Sequence, residues 1–388
     1  MTKVSESSDV VIVGAGITGL SSAVSLAEQG ARVTVVDRYQ PASMASGWTL
    51  AGVRQSGRDP AELFLAQRAV TLWQTLAEKL GAPTGYQQTG NVRLARTEAE
   101  AIIIEQLVEQ QQAAGLEITL LKPSEIQQRI PALANTLHCA SLCLSDGQAD
   151  PLLTSLAYRQ AAEHLGVRFQ LQTAVNKVHT RAGRFQSLAC STGELSADHC
   201  ILATGIQTNE LLDTLNVSIP LQWARVTVML SEPQPPMLKP VIGVANADLA
   251  VRQQSDGCLR MTSGAQYTDA TLTENEGNPH VPISRDVVKE TLNRIANVLP
   301  AVTDVTLAKS WGGLLDMTPD ALPVIDQVSG IDKLTVVAGF SGHGFGIGPA
   351  VGEAVAELVL HNTRNQGIAG FTIDRFTQTV QPAPELHG

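Results

Sequence analysis

Residues 9–37 constrain this chain more than any other stretch. An apolar run over 9–13 ends at Gly14, a helical periodicity covers 17–29 and stops at Gly30, and a second apolar run over 31–36 ends at Asp37. Strand, helix and strand in that order make a right-handed crossover with parallel strands, the seed of a doubly wound sheet. The first turn reads Gly14-Ala15-Gly16-Ile17-Thr18-Gly19. In such a turn the first glycine permits the tight bend and the second lets backbone approach a pyrophosphate. The third lets helix and strand pack closely, and the helix N-terminus presents free N–H groups and a positive dipole end. Asp37 lies 23 positions after Gly14, near the spacing at which a carboxylate grips a ribose hydroxyl. Together these features predict a bound dinucleotide.

The rest of the chain narrows the class. Its 388 residues allow two or three domains, and 44% hydrophobic content supplies a large core. A formal charge of −10 without a basic run argues against nucleic acid. No run of about 18 apolar residues exists, so no membrane span is expected. Residues 1–8 carry one lysine and no apolar centre, unlike a secretory leader. Five scattered cysteines read as reduced thiols, which places the chain in the cytoplasm. Cys139 and Cys143 lie beside His138 without two further close ligands, so no metal is expected.

Helices are expected over 54–80, 98–114, 151–165 and 284–299, and strands over 90–96, 116–121, 166–171, 173–178, 185–191 and 200–204. Stretches 222–231 and 249–263 read as antiparallel, with Asp256-Gly257 as a hairpin turn. A strand over 334–337 leads into a glycine-rich loop, and a helix over 349–360 starts on Pro349. Two further glycine turns, Ala203-Thr204-Gly205 and Gly342 to Gly348, join the first at strand ends, where ligands of doubly wound sheets bind. The density of glycine in the last loop is read as cofactor contact.

With Val11-Ile12-Val13-Gly14-Ala15-Gly16-Ile17-Thr18-Gly19, Leu202-Ala203-Thr204-Gly205, Thr318-Pro319-Asp320 and the 339–345 string GFSGHGF, the chain resembles the FAD-dependent D-amino-acid oxidase superfamily. Within it the similarity is to the sarcosine oxidase, glycine oxidase and proline or hydroxyproline dehydrogenase group. The resemblance implies an α/β (α+β) fold, a Rossmann-like FAD-binding domain with an interleaved antiparallel-sheet substrate domain. Residues 1–80, 150–215 and 325–388 would form the first, and 81–149 and 216–324 the second. It implies oxidation of the C–N bond of a small amino acid by hydride transfer to flavin N5, giving an imine.

Carried over by position, Gly14, Gly16, Ile17, Thr18 and Gly19 would hold the pyrophosphate, Asp37 the ribose, and Arg38 the adenine side. Ala45, Ser46, Leu50, Ala51 and Gly52 would lie along the phosphates and flavin. Val175, Ala203, Thr204 and Gly205 would close the adenosine side. Gly342, His343, Gly344, Phe345, Gly346 and Ile347 would surround the flavin pyrimidine. Relatives attach flavin through a cysteine or a histidine; Gly313 and Thr49 stand there, so FAD is expected to be non-covalent. Gly346 and Arg260 stand where monomeric sarcosine oxidases carry lysines, and Leu315 where glycine and D-amino-acid oxidases carry an arginine.

A buried carboxylate needs a cation, preferably a bidentate one. Arg54 is the first candidate, either an anchor or a solvated helix-start residue; Arg252 and Arg260 follow. His343 either polarises flavin and orients substrate or bonds to its loop backbone. Trp48 and Tyr267 are candidate pocket walls. The expected partner is a small amino-acid substrate. The alternatives are a dehydrogenase subunit passing electrons to a hetero-oligomer partner or acceptor, and a flavin-bound assembly subunit without activity.

Overall fold

The protein was described as a computed structural model covering residues 8–269 and 272–376, so the reading of 1–7 and the outer ends of the expected domains lie outside the described residues. The first sheet orders its strands Val324–Gln327, Leu334–Ala338, Gly193–Leu202, Ser8–Val13, Val33–Val36 and Arg168–Gln170. Along this path the pairings are parallel except at the Val324–Gln327 edge; off it, Arg184–Cys190 pairs antiparallel with both Gly193–Leu202 and Val175–Arg181. Alternation sets its two faces. Val10 and Ile12 enter the core under helices Ile17–Glu28, Pro151–His164 and Gly344–His361, whereas Val11 and Val13 enter the core on the other face. The strands end at Gly14, Asp37, Ala203 and Gly339, all along one edge.

The second sheet runs Gln266–Tyr267, Gln222–Pro233, Cys258–Ser263, Leu249–Gln253, Val241–Val244, Asn91–Ala95, Cys139–Cys143 and Thr119–Leu121, with Leu307–Met317 paired to Gln222–Pro233. It is antiparallel except where Val241–Val244 meets Asn91–Ala95. Val92, Leu94, Ile242, Val244, Val251, Met261 and Met229 form one buried face, packed with Ile126 and Ile295 of helices Pro123–Arg129 and Arg285–Ala296. The opposite face carries Arg93, Gly243, Ala250, Thr262 and Val228 in one register row.

Several expected boundaries move. The helix read over 54–80 begins at Pro60, because Asp59 caps it by accepting from Ala61 N and Pro60 disfavours helix before it; it breaks after Trp73 and resumes over Leu76–Leu80. The strand read over 116–121 is only Thr119–Leu121. The last helix starts at Gly344, not Pro349, which lies inside it. Its glycines are helical because the helix packs so closely. A Cβ at Gly348 would stand 2.7 Å from Ile17 Cγ1, one at Gly352 2.6 Å from Ser21 backbone, and one at Gly346 3.0 Å from Gly52 O. Tertiary contact here overrides propensity.

Candidate functional site

A cavity of about 380 Å³ opens along the strand ends of the first sheet and reaches the uncovered face of the second. Where the first glycine turn lines it, Gly14 has φ +110°, and a Cβ there would meet Ala203 O at 2.2 Å. A Cβ on Gly19 would stand 2.0 Å from Gly14 O, so Gly19 serves packing and does not line the cavity. Gly16 differs: its φ of −71° suits any residue, and the nearest atom to an added Cβ is Ser46 Oγ at 3.2 Å. Gly16, Ile17 and Thr18 line the cavity, with Ile17 N donating to Ser46 Oγ at 2.9 Å. The other first-turn amides lack intrahelical acceptors.

Asp37 accepts from Ala15 N at 2.6 Å and Tyr39 N at 2.7 Å, so its carboxylate also fixes the turn. Burial raises its pKa, against the lowering effect of those two amides. Arg38, paired with Glu210 at 3.7 Å, lines this end with Val175, Ala203, Thr204 and Gly205. Ala45, Ser46, Trp48, Leu50 and Gly52 line the middle, whereas Ala51 is buried behind them.

At the far end, Gly342, His343, Gly344 and Phe345 line the cavity where helix Gly344–His361 begins. Asp316 holds this loop by accepting from Gly339 N at 2.6 Å; burial pushes its carboxyl up to about 6. Gly346 and Ile347 do not line the cavity; Gly346 O accepts from Trp73 Nε1 at 2.7 Å. The glycine-rich stretch therefore divides between cavity wall and helix packing.

Arg54 lines the cavity but is not alone. Arg58, Arg93 and Asn91, none of them singled out from the sequence, line it too. A point at the Cβ of Gly57 would lie 2.9 Å from Arg54 Nη1 and 3.1 Å from Arg93 Cζ, so these guanidiniums converge. Arg54 Nη1 donates to Ser56 O at 2.8 Å, whereas the Arg93 side chain makes no hydrogen bond or ion pair with a described residue and Arg58 Nη1 is buried without a partner. Burial and Arg58 push Arg93 down to about 10. Two carboxylates answer the three cations. Asp146 accepts from Gln55 N, Ser56 N and Ser56 Oγ. Glu62, fully buried, accepts from His343 Nδ1 at 2.8 Å. Burial alone would raise Glu62, but His343, Arg58 and Arg54 outweigh it and hold the carboxyl at about 2. Burial and Arg58 lower the pKa of His343, against the raising effect of Glu62.

Arg252 and Arg260 do not line the cavity. Arg252 donates to Leu50 O and Gln148 Oε1, and Arg260 donates to Gly47 O at 3.2 Å while lying 5.0 Å from the Trp311 ring centre. Both brace the 45–52 segment from behind. Tyr267 is 40% exposed and also off the wall. The five cysteines are free, and no metal-ligating cluster exists among the described residues. No helix among them is long and apolar enough to cross a membrane.

Residues 9–358 match the family model DAO, FAD dependent oxidoreductase. The chain is 26% identical over 392 residues to the bifunctional protein ThiO/ThiG of Trichormus variabilis, covering 97% of this chain but 56% of that one, little more than half. It is 24% identical over 358 residues to sarcosine oxidase subunit beta of Rhodobacter capsulatus, covering 90% of this chain and 84% of the relative. Among solved structures, the L-proline dehydrogenase of P. horikoshii superposes with a TM-score of 0.88 at 24% identity, covering 97% of this chain and all of that one, a likeness of fold.

Proposed function

The chain belongs to the FAD dependent oxidoreductase (DAO) family, and from that premise we propose that it oxidises the C–N bond of a small amino acid with non-covalently bound FAD. The observation that carries the reading is the convergence of Arg54, Arg58 and Arg93 on the cavity wall beside Glu62 and His343. The first sheet would form the cofactor domain and the second the substrate domain, with the boundaries expected above.

The residues present fit the cofactor. The open space over Gly16, the unfilled surroundings of Gly205 and Gly52, and the helix N-termini at Ile17 and Gly344 leave room and donors for pyrophosphate and flavin. Bound FAD supplies the two-electron acceptor; the protein supplies position and field. The guanidinium pole attracts the substrate carboxylate. The same charge disfavours a protonated amine nearby, and the amine must be neutral to be oxidised. His343, hydrogen-bonded to Glu62 at 2.8 Å, stands beside this pole.

Anaerobic addition of amino acids and N-alkyl amino acids should bleach the flavin, and amines lacking a carboxylate should do so far more slowly. A flavin that no amine reduces would overturn the reading in favour of an assembly subunit. A second reading, transfer of electrons to a partner instead of oxygen, is favoured by Gly346. A side chain there would meet Gly52 O at 3.0 Å, which leaves no room for the lysine that stands at this position in monomeric sarcosine oxidases. Reoxidation of the bleached protein by air, compared with a redox dye, separates the two.

Non-covalent attachment is a separate expectation. Gly313 offers no nucleophile, and Trp48 packs 3.5 Å from where its Cβ would be. Acid precipitation should release all the yellow colour to the supernatant; colour retained in the washed pellet would refute it.

A further inference from the structure

Gly243 is small for no reason internal to the protein. It lies mid-strand in Val241–Val244, between Asn91–Ala95 and Leu249–Gln253, where glycine weakens a sheet. It is not among the positive-φ glycines, and an added Cβ would meet only Arg93 Cγ, at 3.9 Å. Neither backbone conformation nor protein packing therefore excludes a side chain. Glycine in a strand also marks close approach of a ligand.

Its register neighbours share its face. Ala250 lies opposite on one side, followed by Thr262, and all three line the cavity. Arg93 lies opposite on the other side, 7% exposed and lining the cavity, its side chain without a hydrogen bond or ion pair to any described residue. A low, uncharged floor thus adjoins a buried cation that lacks a partner.

We propose that Gly243 and Ala250 form the side-chain subsite, and that the substrate is an amino acid with an uncharged side chain larger than that of glycine, its carboxylate on Arg93 and Arg58. This rests on the amino-acid reading above. Charge supports the single carboxylate. Arg54, Arg58 and Arg93 exceed Glu62 and Asp146 by one, which one carboxylate neutralises and a second would overshoot. The floor is otherwise bordered by Val228, Val241 and Thr262, which hold no charge to pair with an ionised side chain.

The test titrates FAD-loaded protein with acetate and with 4-methylpentanoate, reading the flavin absorbance shift. The longer acid should bind at least about tenfold more tightly, from the added apolar carbons. Gly243→Val and Ala250→Leu should each erase most of that ratio, and Arg93→Leu should weaken both acids by about 30-fold or more. Two variants are named so that misfolding of one leaves the ratio measurable in the other. Equal binding of the two acids by the unaltered protein, a ratio unmoved in the variants, or no flavin response to either acid would each overturn the subsite. If the carboxylates behave as stated while no amine bleaches the flavin, the catalytic reading fails and the subsite stands.

Discussion

Gly16→Val is expected to yield a folded chain that no longer holds FAD. The helix cap at this position has φ −71° and ψ 176°, which valine tolerates, and the space before it holds only Ser46 Oγ at 3.2 Å from an added Cβ. The backbone must come close to a pyrophosphate here, so a branched side chain fills the ligand's volume. Affinity should fall by at least about 100-fold, or about 2.8 kcal/mol. The flavin-to-protein absorbance ratio after purification measures this, and circular dichroism of the apoprotein should show an intact fold. Full flavin occupancy in the variant would remove Gly16 from the cofactor site. Gly14 and Gly19 mark the contrast. An alanine Cβ at either would stand about 2 Å from a backbone carbonyl oxygen, at 2.2 and 2.0 Å respectively, and would damage the fold whether or not FAD is present.

Glu62→Leu is expected to cost about 3–5 kcal/mol of stability at pH 7, the usual penalty for stranding buried charge. The change removes the acceptor for His343 Nδ1 and one of the two carboxylates that offset Arg54, Arg58 and Arg93. The pH dependence follows from linkage. The folded value of Glu62, about 2, lies below its ordinary 4.5, so its contribution is fully present above pH 4.5 and is lost as pH falls toward 2. The stability gap between wild type and Glu62→Leu, measured by urea unfolding, should therefore be widest near neutrality and shrink below pH 4.5. A gap under about 1 kcal/mol at pH 7 would show that the cluster tolerates losing this charge.

Local patterns in the sequence made the three glycine turns legible. The first turn, the strand ending at Ala203 and the 339–345 loop each announce themselves within a few residues, and the structure brings all three to one cavity. The arginine cluster needed tertiary information. Arg58 was hidden by reading helix straight through Asp59-Pro60, although that pair is an N-cap and N1 signal. Arg93 did leave a trace. In Asn91–Ala95 the core takes Val92 and Leu94, which puts Asn91 and Arg93 together on the other face, and a charge at an alternate position of an apolar strand implies a polar cavity. Arg252 and Arg260 are on that same sheet face, two positions from Ala250 and Thr262, but over the backbone of Leu50 and Gly47. How far along a strand a cavity extends has no local signature. The early start of the last helix was equally hidden, because five residues with three glycines read as loop until Ile17 and Gly52 are placed against them.

The position of strand Ser8–Val13 bears on how the chain is made. It lies inside its sheet, between Val33–Val36 and Gly193–Leu202. A ribosome therefore delivers the nucleotide turn with one flank of its strand unpaired, and that flank stays open until residue 202 has been added. At about 5–20 residues per second the wait is roughly ten to forty seconds. Gly342 to Phe345, which complete the cavity wall, arrive later still. The emerging unit thus exposes an apolar edge suited to wrong pairing throughout that interval. The binding surface has no complete form on the nascent chain before the loop at 342–345 has emerged, so cofactor cannot hold the early strands in register while they wait.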